Sequence, residues 1–333
     1  MDEIQQLKRQ IRLLKRGMIV VVAVFAITTA AGLLLKAPKT AVAQPLPEEI
    51  PSGKEVVEDF AFPVYAAPAE LDFCGEKVPL QEFEVRERYD FELLVTVYKN
   101  AATVLGFKRA NRWFPVIEPI LQKNGIPDDF KYLAVIESNL ANVISPSNAV
   151  GFWQFLDGTG KQYGLEIRDE VDERYHVEKA TEAACRYLKD AYAKFGSWTL
   201  AAASYNMGMS GLSSEIGKQE ETDYYKLKLN SETSRYILRL VCTKELFAHP
   251  QKYGYRLEKT DMYPEIPVRT VEINGSIESL VSFARENNTN YKLLKELNPW
   301  LRKDKLTNPL GKTYIFRLPA EGHDHYDELV RQR

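Results

Sequence analysis

The sequence predicts a mainly α protein that ends in a small α+β module. Apolar residues recur at helical spacing through most of residues 85 to 249, and Gly, Pro and Ser fall where such helices would start and stop. Near Pro264 the texture changes to short alternating runs with Val268, Val271 and Ile273, then a helical stretch, then Tyr314-Ile315-Phe316 before Pro319. At 333 residues, with 45% hydrophobic and 11% aromatic, there is apolar material for a sizeable core and room for two or three domains.

The N-terminus reads as an export signal. Residues 1 to 17 hold five cations (Lys8, Arg9, Arg12, Lys15, Arg16) against Asp2 and Glu3. Met18 to Leu35 then runs 18 residues without a charge, near the minimum of roughly 17 to 25 for a membrane-crossing helix. The positive-inside rule leaves residues 1 to 17 in the cytoplasm and exports the chain beyond Leu35. Residues 18–35 therefore serve as an inner-membrane anchor, the preferred reading, or as a signal peptide cleaved after Ala41-Val42-Ala43. Residues 36–80, with Pro38, Pro45, Pro47 and Pro51, read as a semi-extended tether.

The next domain is expected over 81–258. Tyr89, Leu93, Val97 and Ala101 recur every four residues and predict a helical region continuing toward Trp113 and Ile117. No strong strand pattern precedes residue 260. Gly125-Ile126-Pro127-Asp128-Asp129 puts a breaker, a first-turn Pro and two anions at a helix start. Along that helix Phe130, Leu133, Ala134 and Glu137 share one face, so a carboxylate sits on the apolar stripe. A second helix is expected from Glu178 to Phe195 with Gly196 as its stop, and Ser197 caps a third from Trp198 to Met207, which ends at Gly208. A fourth is expected from Tyr224 to about His249, closed by Pro250. The α+β module occupies 264–320, and 321–333 is a polar tail.

Charge and cysteine content exclude several function classes. The 44 basic and 46 acidic residues leave a formal charge of -2, so no global field favours nucleic acid or an acidic membrane surface. Cys74, Cys185 and Cys242 are widely spaced without a CxxC pair, which leaves one bridge plus a thiol, or three buried thiols. Gly158-Thr159-Gly160-Lys161 is not a phosphate loop, because Phe155 and Gln162 stand where Gly and Ser/Thr are needed. His323-Asp324-His325 lies in the polar tail and reads as solvated. No metal and no cofactor are expected.

Glu137 is the candidate catalytic group. An apolar setting disfavours the charged carboxylate and raises its pKa, as a general acid for glycosidic cleavage needs near neutrality. Around it, Glu137-Ser138, Ser145-Pro146, Gly151-Phe152-Trp153-Gln154-Phe155 and Ala203-Ser204-Tyr205-Asn206-Met207-Gly208 resemble the ordered motifs of the soluble lytic transglycosylase family. Phe114 to Glu118, Gly125-Ile126-Pro127, Glu232-Thr233 and Tyr236 resemble its membrane-bound transglycosylase D subgroup. The likeness covers about residues 85 to 255. It departs where Leu156-Asp157 replaces the usual Met-Pro pair and Ser204 a common alanine.

The resemblance implies a lysozyme-like fold and an enzyme acting on peptidoglycan glycan strands. Glu137 matches the single acid that protonates the oxygen between N-acetylmuramic acid and N-acetylglucosamine, then takes a proton from the muramyl 6-hydroxyl. The product is a 1,6-anhydro sugar, and no water is consumed. Ser145, Gln154, Tyr205, Asn206 and Glu232 match positions around the sugar, and their amides and hydroxyls suit its acetamido and hydroxyl groups. Three simpler readings stand beside these: Ser138 bonded to its own helix, Asn206 as a helix-end residue, and Trp153 as core. A hydrolytic muramidase would instead need Asp157 or Asp172 beyond the sugar. A wall-binding scaffold would need no acid.

At the C-terminus, Glu272 to Ile277, Leu280, Phe283-Ala284, Leu293-Leu294, Leu297-Asn298-Pro299 and Gly311-Lys312 through Leu318-Pro319 resemble one LysM domain. This implies a βααβ peptidoglycan binder, divergent because Ser276 stands after Gly275 in place of the usual Asp. It is a glycan binder or a structural cap.

Overall fold

The computed structural model describes residues 63–321. The segment 18–35 expected to enter the membrane, the first part of the tether and the tail with His323 lie outside the described residues. Among the described residues no helix is long and apolar enough to cross a membrane.

The last part of the expected tether carries structure. Strands β1 (Asp72–Phe73) and β2 (Glu76–Lys77) form a hairpin that turns at Cys74 and Gly75, both at positive φ. Phe73, Val78 and Leu80 enter the core. Strands two residues long carry no readable period, so the sequence pattern did not show them.

The four-residue repeat beginning at Tyr89 spans two helices rather than one, α1 (Phe83–Val97) and α2 (Ala101–Lys123). Tyr89, Leu93 and Val97 are buried, but Ala101 is exposed, and the chain turns at Asn100 with φ 40°. After Pro127, one 3-10 turn (Asp128–Phe130) leads into α3 (Lys131–Ser138), which stops at Asn139 and Leu140, both left-handed. A loop from 139 to 156 then leads to the short α4 (Asp157–Gln162).

Helix α5 (Val177–Phe195) buries an alanine-rich face and closes at Gly196. Helix α6 (Trp198–Met207) has Ser197 as its cap, with Ser197 Oγ accepting from the Leu200 N–H at 3.3 Å. Glu76 reinforces that start: its carboxylate accepts from the Trp198 and Thr199 N–H groups at 2.7 and 2.9 Å. An anion at the positive end of a helix dipole is favourable.

The helix expected from Trp198 to Met207 does end at Gly208, and a further helix that the spacing did not show, α7 (Met209–Gln219), follows at once. The structure departs from expectation at one helix start. The helix expected from Tyr224 begins later, as α8 (Thr233–Ala248). Asn230 decides that start, because its Oδ1 accepts from the Glu232 and Thr233 N–H groups at 3.0 and 2.9 Å. Tyr224 belongs to the preceding turn and donates its hydroxyl to Thr233 O at 2.7 Å.

The C-terminal module is βααβ, as the LysM likeness implied. β3 (Val268–Ile273) and β4 (Tyr314–Pro319) pair antiparallel, from Val268 opposite Pro319 to Ile273 opposite Tyr314. Between them come α9 (Leu280–Glu286), capped by Ser279, and α10 (Tyr291–Leu297), capped by Asn290. The apolar interior forms two clusters. The larger one fills the helical domain, and the smaller one joins Leu280, Leu294, Leu301, Phe316 and Leu318 to Val150, Val171 and Tyr175 of that domain. Cys74, Cys185 and Cys242 are all free thiols, and the latter two are buried.

Candidate active site

Helix α3 carries Glu137 on the same face that it commits to the core. Leu133 and Ala134 are fully buried, whereas Glu137 is only half-buried and faces a cavity of about 320 Å³. Thr96, Lys99, Thr103, Arg239 and Phe247 also line this cavity.

The carboxyl is gripped and its charge is opposed. Tyr236, on α8, donates its hydroxyl to Glu137 Oε1. Burial pushes the Glu137 carboxyl up most strongly; the Tyr236 bond pulls it down, the Glu232 carboxylate pushes it up, and Arg239 pulls it down. The outcome is about 7, from an ordinary 4.5. Near neutrality the group is thus poised between proton donor and acceptor. The Tyr205 and Tyr236 phenols are pushed up by burial first and by the Glu137 charge second, so both remain hydrogen-bond donors.

The arginine on this cavity is itself paired. Glu92, on α1 and 1% exposed, meets Arg235 at 3.2 Å and Arg239 at 3.3 Å. Its negative charge offsets that of Arg239, which weakens the pull of that cation on the Glu137 proton.

The other candidates divide into two groups. Glu232 and Tyr205 lie close enough to act on, or feel, the Glu137 charge. Glu232 is exposed, immediately before α8. Tyr205 donates to Trp153 O at 2.7 Å and packs edge-on against Tyr187. Asn206 joins them through its Oδ1, which accepts from Thr233 Oγ1 at 2.7 Å. It therefore ties α6 to the start of α8.

Ser145 and Gln154 stand on the loop between α3 and α4, and much of their bonding is internal to it. Ser145 Oγ accepts from Ala149 N–H at 3.0 Å. Gln154, at φ 48°, donates its amide to Gly151 O at 2.7 Å and Val143 O at 3.1 Å. These bonds shape the loop. The loop in turn is fastened to the acid's helix, because Ser138 Oγ lies 2.9 Å from Phe152 O as well as 3.0 Å from Ala134 O of its own helix. Trp153 is fully buried and donates Nε1–H to Thr181 Oγ1 at 2.9 Å, which makes it core and not a sugar platform. At Leu156, where the family pattern has Met, an apolar side chain is about half exposed.

Comparison with known proteins finds similarity over both parts of the described chain. Residues 115–228 match the family model described as the transglycosylase SLT domain. Residues 269–322 match the soluble lytic transglycosylase C-terminal LysM-like domain. The chain carries a transglycosylase SLT domain and a LysM-like domain. Two curated relatives, each a membrane-bound lytic murein transglycosylase D from Escherichia coli, strains K12 and CFT073, are 30% identical over 198 residues. That alignment takes in 57% of this chain and 43% of each relative, so the chain spans less than half the length of the curated relatives it matches. The SLT match contains Glu137, Ser145, Gln154, Tyr205 and Asn206. Glu232, Tyr236 and Arg239 lie beyond its end, in α8 and the residue before it.

Sequence reasoning noted Tyr236 only as part of a likeness and missed Arg239 and Glu92. For Tyr236 the signal was present, an aromatic hydroxyl four residues after Glu232. For the ion pair there was none, since its partners lie 147 residues apart.

Proposed function

We propose that this protein is a peptidoglycan lytic transglycosylase that cleaves the β-1,4 bond between N-acetylmuramic acid and N-acetylglucosamine, with Glu137 as both acid and base. The observation that carries the reading is a half-buried glutamate on a cavity, bonded by a tyrosine hydroxyl, with its carboxyl raised to about 7. Protonated Glu137 donates to the glycosidic oxygen as the bond to C1 breaks. The acetamido carbonyl of the sugar supports the cationic centre. Glu137, now a carboxylate, takes the proton of the 6-hydroxyl while that oxygen bonds to C1. The acid is restored and an anhydro sugar leaves.

Tyr236 holds the carboxyl in one orientation, Tyr205 ties α6 to the loop at Trp153, and Asn206 ties α6 to the start of α8. In this reading Ser145 and Gln154 shape the loop beside the acid, and the exposed Glu232, whose charge reaches Glu137, accepts hydrogen bonds from sugar hydroxyls. The site is assigned to the periplasmic face of the envelope, with residues 18–35 holding the enzyme on the inner membrane. The relatives' membrane-bound naming supports that placement.

The hydrolytic alternative needs a second carboxylate free to activate water. Asp172 is consumed by Arg174, at 2.9 and 2.7 Å, and Asp157 pairs with Lys161 at 2.9 Å. Glu232 is the remaining carboxylate whose charge reaches Glu137, and so a water-using variant of the reaction would depend on it.

Glu137→Gln tests the proposal. It preserves the shape and removes the proton, so release of soluble muropeptides should fall by about 100-fold or more. Release at the wild-type rate would show that Glu137 is not the acid.

A further inference from the structure

The loop that carries Ser145 and Gln154 has two edges. One faces the acid: Ser138 Oγ meets Phe152 O, Tyr205 donates to Trp153 O, and Val143 lines the same cavity as Glu137. The other edge leans on residues 166–175. Arg174, largely buried and pinned by Asp172, sends Nη1 to Asn148 O and to Phe155 O, each at 3.3 Å. Gly151, at φ +82°, sits so close that a Cβ there would lie 2.0 Å from Arg174 O. This contact requires a glycine on both steric and conformational grounds.

The far side of segment 166–175 is bound to the LysM-like module at every step. Val171 and Leu301 form a β-bridge, Asp172 N–H donates to Trp300 O at 2.9 Å, and Arg302 N–H donates to Glu170 O at 2.8 Å. The Glu170 carboxylate accepts from Thr307 N–H and from Thr307 Oγ1 at 2.7 and 2.9 Å. The Arg302 guanidinium lies 4.0 Å from the centre of the Tyr175 ring. Val150 of the loop and Tyr175 are members of the module's own apolar cluster. A freely tethered binding module would share neither strand bonds nor a core with the domain it serves.

We propose that the LysM-like module is a positioning part of the active site: through Trp300, Leu301 and Arg302 it fixes segment 166–175, and through Arg174 that segment fixes the loop bearing Ser145 and Gln154. The role in turnover rests on the transglycosylase reading, whereas the mechanical coupling does not.

Arg302→Ala, Arg302→Lys and Leu301→Ala in the full chain test it with two readouts. The first is amide hydrogen exchange. Residues 148–155 should exchange at least about tenfold faster in Arg302→Ala and Leu301→Ala, and by a larger factor than α3, while Arg302→Lys stays near wild type. The second is turnover of a soluble muramyl tetrasaccharide, too short to reach a distant binding module, alongside co-sedimentation with purified cell walls. Turnover should fall about tenfold in Arg302→Ala and be largely restored in Arg302→Lys, with co-sedimentation unchanged. Lost co-sedimentation with normal tetrasaccharide turnover and normal exchange would overturn the proposal in favour of a separate glycan binder. Unchanged values on all readouts would overturn it too. A wild-type enzyme that forms no anhydro product would instead contradict the functional reading and leave the exchange result to judge the coupling.

Discussion

At the scale of single residues, the proposed reaction asks one side chain to be neutral when the glycosidic bond breaks and charged when the anhydro ring closes. Glu137 can serve both demands because burial and Glu232 lift its proton affinity while Tyr236 and Arg239 restrain it, leaving the group near neutrality. The free enzyme is competent only with the proton on, so a raised pKa places the loss of activity on the alkaline side. kcat/KM on a soluble glycan should be level below about pH 6 and fall with a midpoint near 7. A profile still flat two or so units higher would contradict the assignment. As a candidate acid, Glu137 was legible in the sequence because an amphipathic count put it on an apolar face, and motifs marked its neighbours. Its electrostatic setting was not, since Glu92, Arg239 and Tyr236 meet it only through packing between α1, α3 and α8.

At the scale of elements, the helices that begin and end on local signals were readable. Ser197 and Gly196 bracket α5 and α6 because a hydroxyl cap and a left-handed glycine act within a few residues of themselves. Apolar spacing alone puts the start of α8 too early, at Tyr224 instead of Thr233, because it continues through a turn that Asn230 and Tyr224 hold by side-chain bonds. The loop from 139 to 156 was visible as motifs but not as a structure, since its shape depends on Arg174 from a distant segment. That dependence gives a prediction. Gly151→Ala adds a Cβ that would collide with Arg174 O and strains a left-handed residue, so it should cost at least about 2 kcal/mol in denaturant unfolding. A change below about 0.5 kcal/mol would mean that the loop can move away from segment 166–175 at little cost.

At the scale of the whole molecule, the described residues make up a helical domain and a βααβ module that the shared cluster of Val150, Val171 and Tyr175 joins into one body. Cooperative units coincide with shared cores. Calorimetry should therefore show one transition for both parts, and Leu301→Ala should lower it for both; two resolved transitions would separate them. The near-zero formal charge of -2 fits a partner gripped by hydrogen bonds and shape instead of a long-range field. The central claim, however, concerns the fate of the cleaved bond. Mass spectrometry of muropeptides released from intact cell walls by the wild-type protein tests it directly. Intramolecular attack by the 6-hydroxyl predicts products that end in anhydro-muramic acid, each one water lighter than its hydrolysed counterpart. Products ending in reducing muramic acid would show that water is the nucleophile, and the assignment of Glu137 as a base for the 6-hydroxyl would then be wrong.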